Sequence, residues 1–535
     1  MNLTILQIIE VLVIISIVAT LVKWIRLPYT IALILAGLLL SILIKTNIIK
    51  LNPQLVLKIN FHDLILFIFL PALLFEGSFK FSFSLLKRFA KPIFTWAFLG
   101  MLVSTFIIAS LIHYLLNIPW EIALLFGAII SSTDPISVLA ILKEYGLSNG
   151  VAAILEGESL FNDGVSVVLY GIFLECALGE KLEFNFISTL TGVIKFLKFT
   201  LGGTMVGISL GYIFSKIIAK IDDHLIEITL TTILAYGTYL LANDLHFSGV
   251  IGVVVAGIIF GNRVKEYGMS ANTRLLLTSF WDYIVFLCNS VVFLLMGLVV
   301  GSLEVFSFNR IFLGVLLAIL ITLAGRAVII YGFAPFLSSK EEIIPWSWRH
   351  ILFWGGIHGS LSMALALGIP GVVSYREVLI IFVFGVVLFS MLCQGFSLKW
   401  LLKLLGMKQD DPARKDYQRI LALLIAKQSG QNTLWQCYQE HFISMNVYKE
   451  LSESLFSSIA ELKKELAEKV KKFPFIVAEQ KREAKIKSLI AQKSALIRAS
   501  QEGLIKEEIK DALSREIDEE LYKLIQEKIE NEKNT

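Results

Sequence analysis

The sequence predicts an all-α integral membrane protein of about thirteen transmembrane helices, followed by a helical, charged cytoplasmic tail. The first observation is composition: of 535 residues, 56% are hydrophobic and 17% charged. The mean hydropathy of +0.74 is far above that of a soluble globular domain. The second is a recurrence of apolar runs of about 20 residues, the length a helix needs to span a bilayer, separated by polar or Gly/Pro breaks. The third is segregation of charge: residues 408–535 hold 23 Lys or Arg and 22 Asp or Glu, close to half of all charges. Two domains follow, a membrane domain over 1–407 and a charged helical domain over 408–535.

The first run, 3–22, is followed by Lys23 and Arg26 and has neither a basic leader nor a small-residue cleavage site, so it reads as a span and not a removed signal. Runs at 28–44, 61–79 and 93–116 follow, then 121–143 and 150–178, both of which contain carboxylates. The next three are 187–215, 224–243 and 247–262, the last short enough to be tilted, re-entrant or half-length. Runs at 277–301, 311–336, 349–370 and 376–404 complete the series. An odd number of spans puts the termini on opposite sides. Lys and Arg then choose the side: loops after odd-numbered spans carry 16, including Lys23, Arg26, Lys80, Lys87 and Lys340, against 8 on the other face, including Lys50, Lys58 and Lys181. The N-terminus is expected outside and the tail in the cytoplasm. In the tail, Leu451, Leu455, Ile459, Leu462, Leu466 and Val470 recur every three or four residues. That stripe suits one helix packing on another, or else a coiled coil or regulatory module.

A net charge of +4 with scattered basic residues argues against nucleic acid. Cys176, Cys288, Cys393 and Cys437 have no metal-ligand or disulfide spacing. No cofactor is expected, and the absence of a GxxxxGK[ST] motif points to ion gradients as the energy source.

Ionisable groups inside a span cost about 2.5–3.5 kcal/mol on insertion scales, so they face a protein interior or an ion path. The fifth run contains Ser132, Thr133, Asp134 and Pro135. Proline lacks a backbone donor and clashes with the preceding turn, which places Thr133 and Asp134 where the helix opens. Broken helices are tolerated at membrane depth where they line a polar cavity, and their ends and freed carbonyls hold ions. Asp134 is placed to offset the positive end of the following half-helix; a proline kink with a capping Asp is the alternative.

In the sixth run, Ser159 and Asp163 are four apart, as are Glu158 and Asn162, so each pair shares a helix face. Carboxylate and hydroxyl oxygens suit a hard cation. Asp163 is the expected carrier: a carboxylate partly removed from water exchanges a cation for a proton, and that competition couples two fluxes. A structural hydrogen-bonded Asp is the alternative. Glu76, near the cytoplasmic end of the third run, is an entrance ligand or an interfacial carboxylate. Arg326 is a basic residue deep in a span and requires a partner. Glu158 is the candidate, because Asp163 must stay free to titrate. A second break is written in Gly355, Gly356, His358 and Gly359, which suit an unwound crossing or close helix contact. Aligning 125–135 with the stretch from 352 onward suggests two related broken helices, as in inverted-repeat transporters.

Taken together, these motifs resemble the monovalent cation/proton antiporter-1 family, the group of NhaP-type sodium/proton antiporters and animal sodium/proton exchangers. The resemblance spans about residues 1–407. It rests on Thr133-Asp134-Pro135, on the motif from Glu158 to Asp163, on Phe69-Leu70-Pro71 through Glu76, on Arg326 and on the glycine-rich break. It implies a homodimer in the lipid membrane, two crossed interrupted helices in a six-helix core, and alternating access. It further implies that Asp163, Asp134, Ser159 and the Thr133 backbone hold the cation, with Glu76 reaching toward them and Glu158–Arg326 a structural pair. Asn162 stands where electrogenic relatives carry a second Asp, which implies electroneutral one-for-one exchange. His358 stands where the family commonly has Arg, so a permanent charge is replaced by a group that titrates near neutrality; a pH response at the crossing and a neutral, hydrogen-bonded ring are the two readings.

The expected function is antiport of Na⁺, or Li⁺, against H⁺ across a bacterial cytoplasmic membrane, with cation and proton competing for Asp163. K⁺/H⁺ antiport on the same scaffold is an alternative, and an ion channel or sensor is another. An organic-anion symporter is disfavoured, since it would want fixed positive groups where Asp134 and Asp163 stand.

Overall fold

A computed structural model describes residues 2–25, 28–46, 63–145, 147, 149–179, 186–221, 223–267, 271–303, 308–337, 344–407, 412–501, 504–514, 516–517 and 520–521. Arg26, Lys50, Lys58, Lys181 and Lys340, five of the loop cations used for orientation, lie outside them, as do the first two residues of the expected third span. Among the described residues all regular structure is helical. Contacts divide the chain into two compact units, Met1–Leu142 with Leu147–Leu401, and Lys143–Gly146 with Leu402–Thr535.

The first unit contains α1 (Asn2–Ile25), α2 (Tyr29–Lys45), α3 (64–80), α4 (Phe83–Arg88) and α5 (Ala90–Leu116). The interrupted pair α6 (Trp120–Ile130) and α7 (Ile136–Glu144) follows, then α8 (Asn149–Ala177), α9 (Phe186–Ile218), α10 (His224–Asp244), α11 (Gly249–Tyr267), α12 (Ala271–Ser302) and α13 (Phe308–Leu337). A second interrupted pair, α14 (Trp346–Trp354) and α15 (Ser360–Leu367), precedes α16 (Arg376–Leu404). Each of the thirteen predicted runs coincides with one of these helices or interrupted pairs. Among the described residues, seven helices are long and apolar enough to cross a membrane: α5, α8, α9, α10, α12, α13 and α16. In α8, 61% of the most apolar window is buried, against 33% in α9, so the helix with the most carboxylates is central and α9 peripheral.

The ninth run, expected over 247–262, folds as α11, a helix of 19 residues whose apolar part, Gly249–Arg263, is shorter than the seven spans above. Small residues let it pack against a neighbour: a methyl added at Gly207 of α9 would lie 2.4 Å from the Gly252 carbonyl. The α2–α12 contact is equally close, with a methyl at Gly37 falling 2.2 Å from the Leu294 carbonyl. Between membrane helices, packing replaces hydrophobic burial as the driving force, and glycine maximises it.

Three helices widen to π-turns, at Leu64–Phe69 of α3, Thr95–Gly100 of α5 and Ser390–Gln394 of α16. Such widenings are uncommon and concentrate at functional sites.

The second unit is built on α17 (Pro412–Gln439), α18 (Met445–Lys472) and α19 (Pro474–Gln501). Helices α17 and α18 form an antiparallel hairpin. Ser444 caps α18 through the Val447 amide at 3.4 Å, the rings of Trp435, Tyr438 and Tyr448 cluster at the turn, and Asp416 meets Lys469 at 3.0 Å at the far end. Ile420, Leu424 and Ile459 are buried. Leu451 leads the predicted stripe but is 46% exposed, and Ser452 takes the inward place, because a helix of 3.6 residues per turn drifts off a four-residue spacing.

Candidate functional site

The two helix breaks cross. Helix α6 ends at Ser131, whose amide and hydroxyl both donate to the Gly127 carbonyl, at 3.1 and 2.7 Å. The backbone has no regular secondary structure from Ser132 to Pro135. Asp134 Oδ1 accepts from the Ile136 amide at 3.0 Å, so the carboxylate caps α7, and the Pro135 carbonyl accepts the first bond of that helix from Leu139 at 2.7 Å. At the second break, α14 ends at Gly355 and α15 begins at Ser360. The Asp134 amide donates to the Ile357 carbonyl at 2.6 Å and joins one break directly to the other. Gly359 is required by this approach: a methyl there would lie 2.4 Å from Asp134 Cβ and Oδ2.

His358 is a second tie. A carbonyl can only accept, so His358 Nδ1 carries the proton and donates to the Ser132 carbonyl at 2.9 Å. Its own amide donates to Ser390 Oγ in the π-turn of α16 at 3.2 Å.

Helix α8 lays its polar face against the first break. Ser132 Oγ–H donates to Asp163 Oδ1 at 2.6 Å, within the short range of a hydroxyl–carboxylate bond. Ser159 Oγ–H donates to the Thr133 carbonyl. Asn162 Nδ2 donates to Thr133 Oγ1 at 3.0 Å. Ser159, Asn162 and Thr133 are buried, whereas Asp163 and Asp134 are only half-buried.

Glu158 and Arg326 form a two-pronged ion pair, with Nη2 donating to Oε2 at 3.0 Å and Nη1 to Oε1. Arg326 Nη2 also donates to the Leu352 carbonyl at 3.1 Å, so one guanidinium joins α8, α13 and α14. Glu76 is held differently. It pairs with Lys80 one turn along α3, and Lys80 also reaches Asp282 of α12. The structure thus brings Asp163, Asp134, Ser159, Thr133, Asn162, Pro135 and His358 into one cluster and sets Glu158–Arg326 beside it. Glu76 makes no hydrogen bond to that cluster. Among the described residues there is no group of three His, Cys, Asp or Glu that would hold a resident metal ion.

Residues 11–404 match the family described as sodium/hydrogen exchanger, transmembrane. The chain belongs to the sodium/hydrogen exchanger family. It is therefore a member of a transporter family and not of an enzyme family. Among its relatives are the Na⁺/H⁺ antiporter NhaH of Halobacillus dabanensis, 38% identical over 75% of this chain and 98% of the relative, and NhaG of Bacillus atrophaeus, 33% identical over 95% of both. The Na⁺/H⁺ antiporter NhaS2 of Synechocystis is 32% identical over 98% of this chain and 95% of the relative, so the likeness extends into the tail. The fold is that of the sodium proton antiporter MjNhaP1 from Methanocaldococcus jannaschii, with a TM-score of 0.60 and 24% identity over 75% of this chain and 98% of that one.

Sequence reasoning missed two members of the exchanger's polar centre. Ser132 stands in the first-break motif without being singled out as a site residue, although it bonds Asp163. Its position next to Thr133 in the stretch broken by Pro135 was the available signal. Ser390 carries no signal in the sequence, since a serine inside an apolar run is ordinary.

Proposed function

We propose that this chain exchanges Na⁺ for H⁺ across the membrane, one for one, with Asp163 as the shared carrier. The observation that carries this reading is a half-buried carboxylate bonded to Ser132 where two helix breaks cross, in a chain whose relatives are named Na⁺/H⁺ antiporters. A cation at this point is offered the Asp163 carboxylate, the lone pairs of Ser132 Oγ and Ser159 Oγ, Asp134 and the Thr133 carbonyl. These are oxygen donors, as a hard monovalent cation requires. When the cation leaves, a proton takes its place on Asp163 and the Ser132 hydroxyl keeps its bond to the carboxyl. Asn162 is a neutral amide committed to Thr133 Oγ1, so it contributes no second titrating charge, and each passage carries one charge in either direction. Glu76, tied to Lys80, serves at the approach to the site. Pro135 keeps the first break open and Glu158–Arg326 braces it.

The same reading takes the protein as a homodimer in a bacterial cytoplasmic membrane, with the N-terminus outside. Residues 1–407 carry transport by alternating access, and 408–535 form a cytoplasmic domain. Support comes from the Lys and Arg distribution among the loops and from the apolar length of the helices.

The test is cation-induced proton movement in proteoliposomes, with Na⁺, Li⁺ and K⁺ added in turn. Wild type should move protons with Na⁺ at clamped zero potential, and Asp163→Asn should abolish the response. A K⁺-selective response would transfer the reading to K⁺/H⁺ exchange. Cation flux that persists without an opposing proton flux would replace exchange by a channel.

A further inference from the structure

Beside the crossing lies a cavity of about 20 Å³, lined by residues that include Trp96, Thr133, Glu158, Asn162, Arg326 and His358 but neither Asp163 nor Ser132. Three of the lining residues carry buried polar atoms with no partner among the described protein groups: Trp96 Nε1, Asn162 Oδ1 and Arg326 Nε. Two are donors and one is an acceptor. A buried polar atom without a partner is costly, and three around one cavity require a common explanation.

We propose that this cavity is a fixed water site, and that Trp96 positions the Asn162 amide through it. The volume exceeds the roughly 10–15 Å³ that one water needs, and a buried water typically takes about three bonds. One molecule accepts from the Trp96 and Arg326 N–H groups and donates to Asn162 Oδ1. Other small occupants fail on chemistry. A cation would face two N–H donors and a guanidinium, and an anion has no proton to give Asn162 Oδ1.

The same bonds set the amide's orientation. Asn162 Nδ2 donates to Thr133 Oγ1 at 3.0 Å, and its oxygen is then the end left for the cavity. A flipped amide would present N–H to a water whose two lone pairs already receive the Trp96 and Arg326 N–H groups. The water thus locks the side chain whose other end holds the first break against α8. Trp96 reaches the cavity from the π-turn Thr95–Gly100 and is 1% exposed. The π-turn in α5 thereby gains a role, since it delivers an indole donor to the edge of the site.

The experiment uses the full chain. A high-resolution map should show a solvent peak within about 2.7–3.2 Å of all three atoms. Absence of that peak, or direct pairing of the three groups, overturns the water site. Replacing Trp96 by benzothienylalanine keeps the ring shape and removes only the donor, and Trp96→Phe is the encoded counterpart. Both should raise the apparent KM for Na⁺ by about tenfold while the maximal rate stays within about twofold, because a positioning bond is lost and the carrier is intact. An unchanged KM in both overturns the positioning role. The transport arm rests on the exchange reading above, but the peak does not. A wild type without Na⁺-driven proton movement would sink that reading and leave the map to decide this one.

Discussion

Between α6 and α7, each residue from Ser131 to Asp134 uses its side chain as a partner. Ser131 bonds the Gly127 carbonyl, Ser132 bonds Asp163, Thr133 receives Asn162 and Asp134 caps α7. Between α14 and α15, Gly355, Gly356 and Gly359 have no side chain to offer, and it is the His358 ring that reaches across. The second break supplies space and a backbone carbonyl, which the Asp134 amide uses at 2.6 Å. The lesson is that two interruptions with similar geometry can be encoded in opposite ways. One combines proline with oxygen-bearing side chains, and the other relies on having almost no side chains at all.

Substitutions at Gly359, Ser132 and His358 separate these roles, in decreasing order of expected effect. Gly359→Ala should do the most harm, because its methyl would sit 2.4 Å from Asp134 and the crossing cannot close around it. Overpacking of this kind costs about 1–3 kcal/mol, so transport should fall by at least about tenfold and thermal unfolding in detergent should come earlier. A variant with wild-type rate and stability would show that the second break is not there for space. Ser132→Ala removes a hydroxyl–carboxylate bond and leaves the backbone alone. Hydrogen bonds to charged groups contribute about 1.5–3 kcal/mol, so apparent Na⁺ affinity in proteoliposomes should drop by about tenfold or more with the protein stably folded. If affinity holds, the first break is scaffolding and not chemistry. His358→Gln keeps a donor for the Ser132 carbonyl and removes a titratable ring. Transport should stay within about threefold of wild type and the pH–activity profile should not move. A displaced midpoint would make the ring a pH sensor and not a strut.

Much of this arrangement was legible because it is local. Pro135 announces its break wherever it falls, since the missing donor and the ring clash depend on no neighbour. Ser159 and Asp163 share a helix face by spacing alone. The Glu158–Arg326 pair was readable by elimination: a deep cation needs an anion, and Asp163 was expected to stay free to titrate. Glu76 was less legible. Its pairing with Lys80 follows i to i+4 spacing, but Lys80's second contact with Asp282, 202 residues away, does not.

The sequence by itself determined the membrane setting, the thirteen apolar runs and the two breaks, and it singled out Asp163 as the expected carrier. Composition and short-range periodicity are intrinsic to the chain, and lipid leaves few ways to satisfy a backbone. Only the tertiary structure decided that Ser132 and not Ser159 donates to Asp163, that Ser390 and His358 meet, and that Trp96, Asn162 and Arg326 line one cavity. These groups lie tens to hundreds of residues apart in sequence, or on turns whose widening no local pattern announces. Their encounter depends on how tightly whole helices pack and cross.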